Sequence, residues 1–547
     1  MTGARALEGL DGLDRLVALA EPLAAAWAAR GHASTTLGVE RAILRLFGVA
    51  GLARDGRPLA AAVVDAHAGR RPDRLAVGLG LPFAMAMAEY DRSPQDLAEH
   101  VAAGHLDLSL DAELLGVAVR RTEAAGIVRD LVAAALERID ANRTAREELV
   151  RLLGEPGRPW IGVAAGSATA GEAAGEARDA AAAGADLVRV AVPAGRELVD
   201  RMQDAGLEPP VWRPGEGADA ALGGSPAAPL PPDAAHAPAG SQRGLATIRA
   251  ALDEAAANRR GYVRLATRAP ALAAPEQAVV AAFERVDVVE ADPMAEIVLG
   301  GVDPDRAIAD HAFAHRLSLR AGTTVLVGSG PLVVAPDLER GQSTDTATLA
   351  GRALALQLLG VLLARASGLP PSRLLVGGLP GFIVSEPDAA ARTVAEIALR
   401  RALYPGHELV LDETEPSGEA AADRWPYLAA LAMSVRAGGQ APADETALVV
   451  RRAATTDVSS LVADTRAAVG VARSAGDAFS RGALAGPARA HAQGAIRAAI
   501  ETLEALADEG WRAVLGEPIG GQDRERLGAD AVVERGEPFD PFEAPAG

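Results

Sequence analysis

The chain has 547 residues, a formal net charge of −19 at pH 7 and no cysteine. Without cysteine it can form no disulfide, iron–sulfur cluster or thiolate zinc site, and it has no cysteine nucleophile. The acidic excess is spread along the sequence, which disfavours nucleic-acid binding because such binding needs a basic surface. All 54 basic residues are arginine, for which codon bias in a GC-rich genome is the simplest cause. No side chain of this chain can therefore form a Schiff base with an aldehyde.

The sequence offers no targeting or membrane-spanning segment. Its first residues, MTGARALEGLDGLDRL, alternate charged residues with leucine and lack the apolar core of a signal peptide. The most apolar stretch, around Leu354–Leu363, contains Gln357 and is flanked by arginines. It is too short and too interrupted to cross a bilayer. We expect a soluble, cytoplasmic protein.

Residues 1–155 are predicted to form an N-terminal helical region. Apolar side chains recur at helical spacing in three segments, near residues 13–20, 39–47 and 127–139. Short breaks rich in glycine and proline separate these segments. No strand of convincing length is predicted here.

From about residue 158 the pattern changes to short apolar runs that alternate with alanine-rich helical segments. The eight runs are Trp160–Ala164, Leu187–Val192, Tyr262–Ala266, Val286–Glu290, Thr324–Val327, Leu374–Gly378, Glu408–Leu411 and Leu448–Arg451. Alternating strands and helices need a parallel sheet, and eight such units can close into a (β/α)₈ TIM barrel, assigned to residues 156–475. The fold class is therefore α/β. An open doubly wound sheet is the alternative, but the glycine fingerprint of a dinucleotide site is absent after the first run.

Two segments lie outside the repeat. Residues 206–243 are rich in proline, glycine and alanine and are long for a connection between a strand and a helix. This segment is interpreted either as a lid over the barrel or as disordered. Residues 476–547 are predicted to form a C-terminal helical segment and a charged tail that frays from about residue 521.

Barrel enzymes carry their chemistry at the carboxyl-terminal ends of the strands. Glu290 and Asp292 share one such end, where they could hold a substrate ammonium or a metal, or could form a solvated rim. Gly328, Ser329 and Gly330 form a turn whose backbone N–H groups could bind a phosphate. Tight turns use glycine for conformational reasons as well.

A metal site is not predicted. His311 and His315 have the spacing of a metal pair on one helix, beside Asp310, but no third ligand is apparent. The surrounding sequence is typical of an outer barrel helix.

Three segments carry a resemblance to a known family. STTLGVERAILRLFGVAG (34–51) resembles the TTVxVERxxLRLxGxxG stretch of the α subunit of D-lysine 5,6-aminomutase. Residues 138–161 are similar to that family's approach to its first strand, and residues 261–330 to the middle of its barrel. The similarity is collinear over roughly residues 20–480.

The resemblance implies a heteromeric enzyme. In that family the α subunit is a barrel that binds pyridoxal 5′-phosphate and receives adenosylcobalamin. A smaller cobalamin-binding β subunit supplies the lysine that holds pyridoxal phosphate. The reaction is a radical 1,2-migration of an amino group on D-lysine or β-lysine. DAHAG at 65–69 does not match the D-x-H-x-x-G cobalamin motif, because its glycine comes one position early. An α subunit needs neither that motif nor a lysine.

Several strand ends depart from the family pattern. Val192 and Pro193 stand where the family has an arginine and a serine, and Arg268 replaces a tyrosine. Asp292 aligns with an aspartate that in the family reaches the substrate's amino group, and Arg264 keeps its place.

The sequence therefore predicts an α-subunit-like component of an adenosylcobalamin- and pyridoxal-phosphate-dependent aminomutase, partnered by a β-type subunit. The alternative is a catalytically degenerate paralogue that binds or regulates such a subunit. An unrelated barrel hydrolase or aldolase would lack a credible nucleophile or metal set. The candidate catalytic residues are Asp292 and Glu290, and the candidate cofactor-binding residues are Arg264, Arg268, Gly328, Ser329 and Gly330.

Overall fold

The structure, a computed structural model, covers the helical region, the barrel and the C-terminal helices. It describes residues 10–51, 53–54, 58–68, 72–108, 117–165, 169–190, 241–269, 272–298, 302–328, 346–377, 389–414, 446–451, 457–474, 485–511, 514 and 532–534. The features that lie outside the described residues are Val192, Pro193, Ser329, Gly330, positions 206–240 of the proline-rich segment, and the tail from 521 apart from 532–534.

Before the barrel, the described residues of the N-terminal region form six α-helices. They are α1 (Leu13–Ala33), α2 (Leu37–Leu46), α3 (Leu59–Ala68), α4 (Gly80–Tyr90), α5 (Pro94–Ala102) and α6 (Ala118–Leu153). Helix α2 starts where the Thr36 hydroxyl accepts a hydrogen bond from Val39 N at 3.0 Å. Helix α5 starts where Ser93 caps the helix ahead of Pro94. A side-chain cap satisfies N–H groups that the first turn leaves without partners.

Eight parallel strands follow and close into a barrel, which confirms the predicted fold. They are β2 (Ile161–Ala165), β3 (Leu187–Val190), β4 (Arg264–Arg268), β5 (Val288–Glu290), β6 (Thr324–Val327), β7 (Leu374–Gly377), β8 (Glu408–Thr414) and β9 (Thr446–Arg451). Each strand pairs with the next, and β9 pairs with β2, with Leu448 opposite Ile161.

Strand β5 begins two residues later than the apolar run predicts. The reason is Asp287, whose carboxylate accepts hydrogen bonds from Leu265 N at 2.8 Å and from the Tyr262 hydroxyl at 2.8 Å. Arg249 lies on the same carboxylate at 3.2 Å. These three donors hold the residues before β5 in place through the side chain of Asp287.

The barrel interior contains one buried apolar layer. Its members are Trp160, Leu187, Ala266, Val288, Leu326, Leu375 and Val410. Side chains alternate between the two faces of a strand, so residues two positions further along also face the interior. At the carboxyl-terminal end these include Arg189, Arg268 and Glu290. Arg264 lies on the same face of β4, two positions before Ala266.

Helices cover the barrel and extend beyond it. They are α7 (Ala170–Ala183), α8 (Gln242–Arg259), α9 (Ala274–Phe283), α10 (Pro293–Val298), α11 (Pro304–Ala321), α12 (Thr346–Ala366), α13 (Ala389–Leu403), α14 (Val458–Ser474) and α15 (Ala485–Glu509). Helix α12 packs closely on α15 at Gly351. A Cβ atom at this position would lie only 2.5 Å from Ala495 O, so the close approach needs glycine.

Helix α12 is also, in the described part of the chain, the one helix long and apolar enough to cross a membrane. Within its most apolar window 83% of the residues are buried in the protein. Packing against the neighbouring helices accounts for this apolar composition.

A two-residue ribbon joins the two ends of the chain. Strand β1 (Ser34–Thr35) pairs antiparallel with β10 (Val533–Glu534). The prediction of a fraying tail is wrong at Val533–Glu534, whereas the two-residue β1 does not contradict the expectation that the N-terminal region has no strand of convincing length. A pair of such short segments carries no periodic signal, so only the tertiary arrangement defines it.

Candidate functional site

Two arginines and one glutamate meet inside the barrel at its carboxyl-terminal end. Arg268 Nη2 lies 2.8 Å from Glu290 Oε1, and Arg189 Nη1 lies 3.4 Å from Glu290 Oε2. The three side chains come from the neighbouring strands β4, β5 and β3. Glu290 is 4% exposed, Arg189 9% and Arg268 20%. We call this group the mouth triad.

Asp292 follows the same strand end, but its carboxylate faces the backbone. Oδ1 accepts a hydrogen bond from Met294 N at 2.9 Å, and Oδ2 accepts one from Gly328 N at 2.8 Å. Burial raises the pKa of Asp292 to about 6. The backbone hydrogen bonds lower the pKa and so oppose this effect, whereas the nearby charge of Glu290 raises it by a smaller amount. Asp292 thus ties the end of β5 to the end of β6 and is a buried acid with a pKa close to neutral.

Gly328 occupies a position that only glycine suits. Its φ is +77°, and a Cβ there would lie 2.4 Å from Gln357 Nε2. Its N–H, which was expected to bind a phosphate, donates a hydrogen bond to Asp292 Oδ2. The N–H group of Gly328 therefore orients the carboxylate of Asp292.

His311 and His315, which have the spacing of a metal pair, both lie within hydrogen-bonding distance of backbone carbonyl oxygens. His315 Nε2 lies 3.1 Å from the carbonyl oxygen of Ala291, the residue between the two candidate acids. His311 Nδ1 lies 2.8 Å from Ala307 O. Burial lowers the pKa of His311 to about 4 and that of His315 to about 3, so both rings are neutral near pH 7. Among the described residues no three potential ligands converge on a metal position.

Arg264 lies at the opposite end of the barrel from the mouth triad. It is the first residue of β4, four residues before Arg268, which is about 13 Å along a strand. Its guanidinium pairs with Glu155 and lies 3.8 Å from the ring centroid of Trp160. A role in cofactor binding at the mouth does not fit this position.

The segment that resembles a family motif contacts the loop that follows β4. Arg41 donates to Glu276 Oε2 and to Leu272 O, both at 2.9 Å, and Arg45 donates to Glu276 Oε1 at 3.1 Å. Leu272 has a φ of +64°, a conformation that costs an L-residue about 1–2 kcal/mol. Glu296 Oε2 lies 3.5 Å from Leu272 N. The N-terminal region thus holds a strained turn in the loop that starts at Arg268.

Sequence reasoning missed Arg189. Arg189 lies within the run LVRV, whose three apolar residues predict a strand whatever the function of the single arginine. Its alternation with Leu187 is the signal that places it inside the barrel with Glu290 and Arg268. The barrel register brings together two of the predicted site residues and adds this third one.

Comparisons with known proteins give two curated relatives. The chain is 27% identical over 343 residues to a lysine 5,6-aminomutase α subunit of Acetoanaerobium sticklandii, covering 63% of this chain and 59% of the relative. It is also 27% identical over 384 residues to one of Fusobacterium nucleatum, covering 68% and 65%. The alignments thus span less than two thirds of each relative's length.

Two solved structures of dihydropteroate synthase align more weakly. The enzyme of Anaplasma phagocytophilum gives a TM-score of 0.36 at 13% identity, covering 58% of this chain and 98% of that one. The enzyme of Yersinia pestis gives 0.33 at 13% identity, covering 58% and 93%. These values are too low to inform fold or function.

A family model gives the more extensive match. It describes the D-lysine 5,6-aminomutase TIM-barrel domain of the α subunit and matches residues 11–206 and 238–411, about two thirds of the chain. The match includes the mouth triad, Asp292 and the segment around Arg41. This chain belongs to the family of D-lysine 5,6-aminomutase α-subunit barrels.

Proposed function

We propose that the chain is an α-subunit-like component of an adenosylcobalamin- and pyridoxal-phosphate-dependent aminomutase. It would move an amino group between adjacent carbons of D-lysine, β-lysine or a related amino acid, in the cytoplasm. The observation that carries the proposal is the family match across the N-terminal region and most of the barrel. The closed barrel, with charged side chains inside its carboxyl-terminal end, supports it.

The chain's residues fit part of pyridoxal phosphate. Arg268 offers a cation for an anionic group at the mouth, and we propose that the turn at 328–330 adjoins the same ligand. The aldehyde finds no amine, because the sequence contains no lysine. A β-type partner subunit would supply that lysine and would bind the cobalamin.

When bound, pyridoxal phosphate supplies an electron-accepting ring beside the substrate's amino nitrogen, and adenosylcobalamin supplies a carbon-centred radical. This chain's residues would orient the substrate and exclude water. Asp292 can accept a hydrogen bond from a substrate ammonium, because each carboxylate oxygen accepts more than one. Glu290 would hold the two arginines in place. The apolar layer beneath them closes the interior.

Reconstitution tests the proposal. The purified chain is mixed with a β-type subunit, both cofactors, and D-lysine or β-lysine, and product formation is followed in the dark. We expect turnover and a visible absorption band that needs both subunits. Asp292→Asn should lower kcat by about 10²-fold or more if the acid contacts the substrate. Absence of turnover with every lysine and ornithine isomer would exclude the proposal.

A degenerate paralogue that binds a cobalamin-binding subunit is the second candidate. The position of Arg264 at the opposite end of the barrel favours it, as does the use of the Gly328 N–H by Asp292. It predicts a stable complex with a β-type subunit that retains no pyridoxal phosphate at micromolar concentrations. Stoichiometric cofactor uptake by the complex would eliminate it.

A further inference from the structure

We propose that Glu296 is a positioning residue that holds the loop after β4 and acts as an uncharged carboxylic acid. One oxygen of Glu296 accepts a hydrogen bond from the Leu272 N–H, and the proton on the other oxygen is directed at His311 Nε2. The inference goes beyond the proposed function, because it follows from the contacts of buried side chains and needs no ligand.

The turn at Leu272 is held from two sides. Its N–H lies 3.5 Å from Glu296 Oε2 on α10, and its carbonyl oxygen accepts a hydrogen bond from Arg41 Nη2 on α2 at 2.9 Å. The φ of +64° is unfavourable for leucine, so the turn needs such contacts to persist. Leu272 follows Arg268 by four residues, at the end of the barrel where loops form the functional face. Glu296 therefore acts on the barrel mouth through Leu272.

The tautomer of His311 decides what Glu296 can offer it. His311 Nδ1 lies 2.8 Å from Ala307 O, and because a carbonyl oxygen only accepts, Nδ1 carries the hydrogen. In the neutral ring Nε2 is then an acceptor. It lies 3.7 Å from Glu296 Oε1, and within the described part of the chain neither atom has a hydrogen-bond partner. A protonated Oε1 satisfies both atoms after a movement of about half an ångström.

The surroundings of Glu296 favour the protonated form. Its side chain is 8% exposed, and burial is the main cause that raises its pKa well above the usual range. The charge of Asp310 on α11 also raises this pKa, and that of Asp292 does so by less, whereas Arg306 and the hydrogen bond from Leu272 lower it. Arg306 Nε lies 2.9 Å from Asp310 Oδ2. The nearby cation is thus paired with a different carboxylate, which leaves Glu296 uncharged near pH 7.

Two substitutions of similar size separate hydrogen bonding from packing. In Glu296→Gln the amide oxygen can accept from Leu272 N–H and the amide nitrogen can donate to His311 Nε2, as the uncharged acid does. Glu296→Met fills the space and offers neither group. Hydrogen–deuterium exchange of the Leu272 amide is measured in the isolated full chain at pH 7. It should stay within about twofold of wild type in Glu296→Gln and become about tenfold faster or more in Glu296→Met.

The pH dependence of stability tests the missing charge. In the unfolded chain Glu296 ionises near its usual pKa of 4.5, and in the folded chain only at higher pH. Its contribution to stability is therefore full below pH 4.5 and is lost as pH rises toward the folded pKa, whereas glutamine does not titrate. The urea midpoint of Glu296→Gln should thus gain on that of wild type between pH 5 and pH 8.

Glu276→Gln is the matched control on the other side of the same turn. The Glu276 carboxylate accepts hydrogen bonds from Arg41 Nε at 2.9 Å and from Arg45 Nε at 3.1 Å. A buried carboxylate that pairs with arginines needs its charge. Glu276→Gln should therefore lower the urea midpoint at both pH values.

Either of two results would overturn the inference. One is equally fast exchange of the Leu272 amide in Glu296→Gln and Glu296→Met. The other is a Glu296→Gln midpoint that gains nothing on wild type between pH 5 and pH 8, which decides the question even if Glu296→Met fails to fold. Neither measurement needs a cofactor or a partner subunit, so the role of Glu296 is decided independently of the reconstitution that tests the proposed function.

Discussion

The two ends of the barrel both place two arginines against glutamates, but the glutamates differ in burial. At the amino-terminal end Arg158 pairs with Glu408 and Arg264 pairs with Glu155, so each cation has its own anion. Both guanidiniums also lie over Trp160, at 3.5 and 3.8 Å from its ring centroid. Each guanidinium at that end thus has a carboxylate as counter-charge and packs on the ring of Trp160.

At the carboxyl-terminal end, Arg189 and Arg268 both contact the carboxylate of Glu290. Among the described residues no aromatic ring lies over either guanidinium. Glu290 is 4% exposed, whereas Glu408 is 31% and Glu155 48% exposed. The difference teaches that burial, rather than the number of arginines, decides how much each glutamate should contribute to stability.

The largest expected effect is at Glu290. Glu290→Gln leaves two buried guanidiniums without their shared anion and should lower the free energy of unfolding by about 3–5 kcal/mol, measured by urea denaturation. Glu408→Gln is the control at the other end, where the carboxylate is 31% exposed, and should cost at most about 1 kcal/mol. Equal losses at both ends would contradict the comparison.

Asp292 should make the carboxyl-terminal end sensitive to pH. Its pKa is about 6 in the fold and 3.8 in a model peptide, so the folded chain binds the proton more tightly. The resulting stability is full below about pH 3.8 and is lost as pH rises through about 6, a change of about 3 kcal/mol. We expect the difference in unfolding free energy between the wild type and Asp292→Asn to fall by that amount between pH 4 and 7. Parallel profiles would refute it.

Arg264→Gln tests the contacts at the amino-terminal end of the barrel. The substitution removes a cation–π contact with Trp160 and a pair with Glu155, which is 48% exposed, and should cost about 1–2 kcal/mol of unfolding free energy. A loss of stability as large as that of Glu290→Gln would contradict the comparison, because Glu155 is far more exposed than Glu290.

The smallest expected effect is a gain in stability next to the amino-terminal end. Arg260 caps α8 with a φ of 54° and is exposed, so Arg260→Gly removes backbone strain and should add about 0.5–1 kcal/mol to the free energy of unfolding. Asp91 has a φ of 49° at the end of α4. Because aspartate tolerates this conformation better than arginine, Asp91→Gly should gain less. A larger gain at Asp91 would contradict this reasoning.

The sequence predicted the barrel because its signals are local. Eight short apolar runs alternating with helical segments are enough to indicate parallel β/α units, and the strands lie within two or three residues of the predicted runs. Glu290 and Arg268 could be identified as strand-end residues by the same reasoning. The family motif around Arg41 could be recognised, but its contacts with Glu276 and Leu272 could not.

Only the tertiary structure decided which charges meet. Arg189 and Arg268 are 79 positions apart in the printed sequence, and strand register alone places both on Glu290. The same register puts Arg264 at the far end and lets Val533–Glu534 pair with Ser34–Thr35. Periodicity of apolar residues follows from each segment's own backbone geometry, so the sequence by itself determined the elements. Pairing of side chains depends on how the barrel closes, which no single segment specifies.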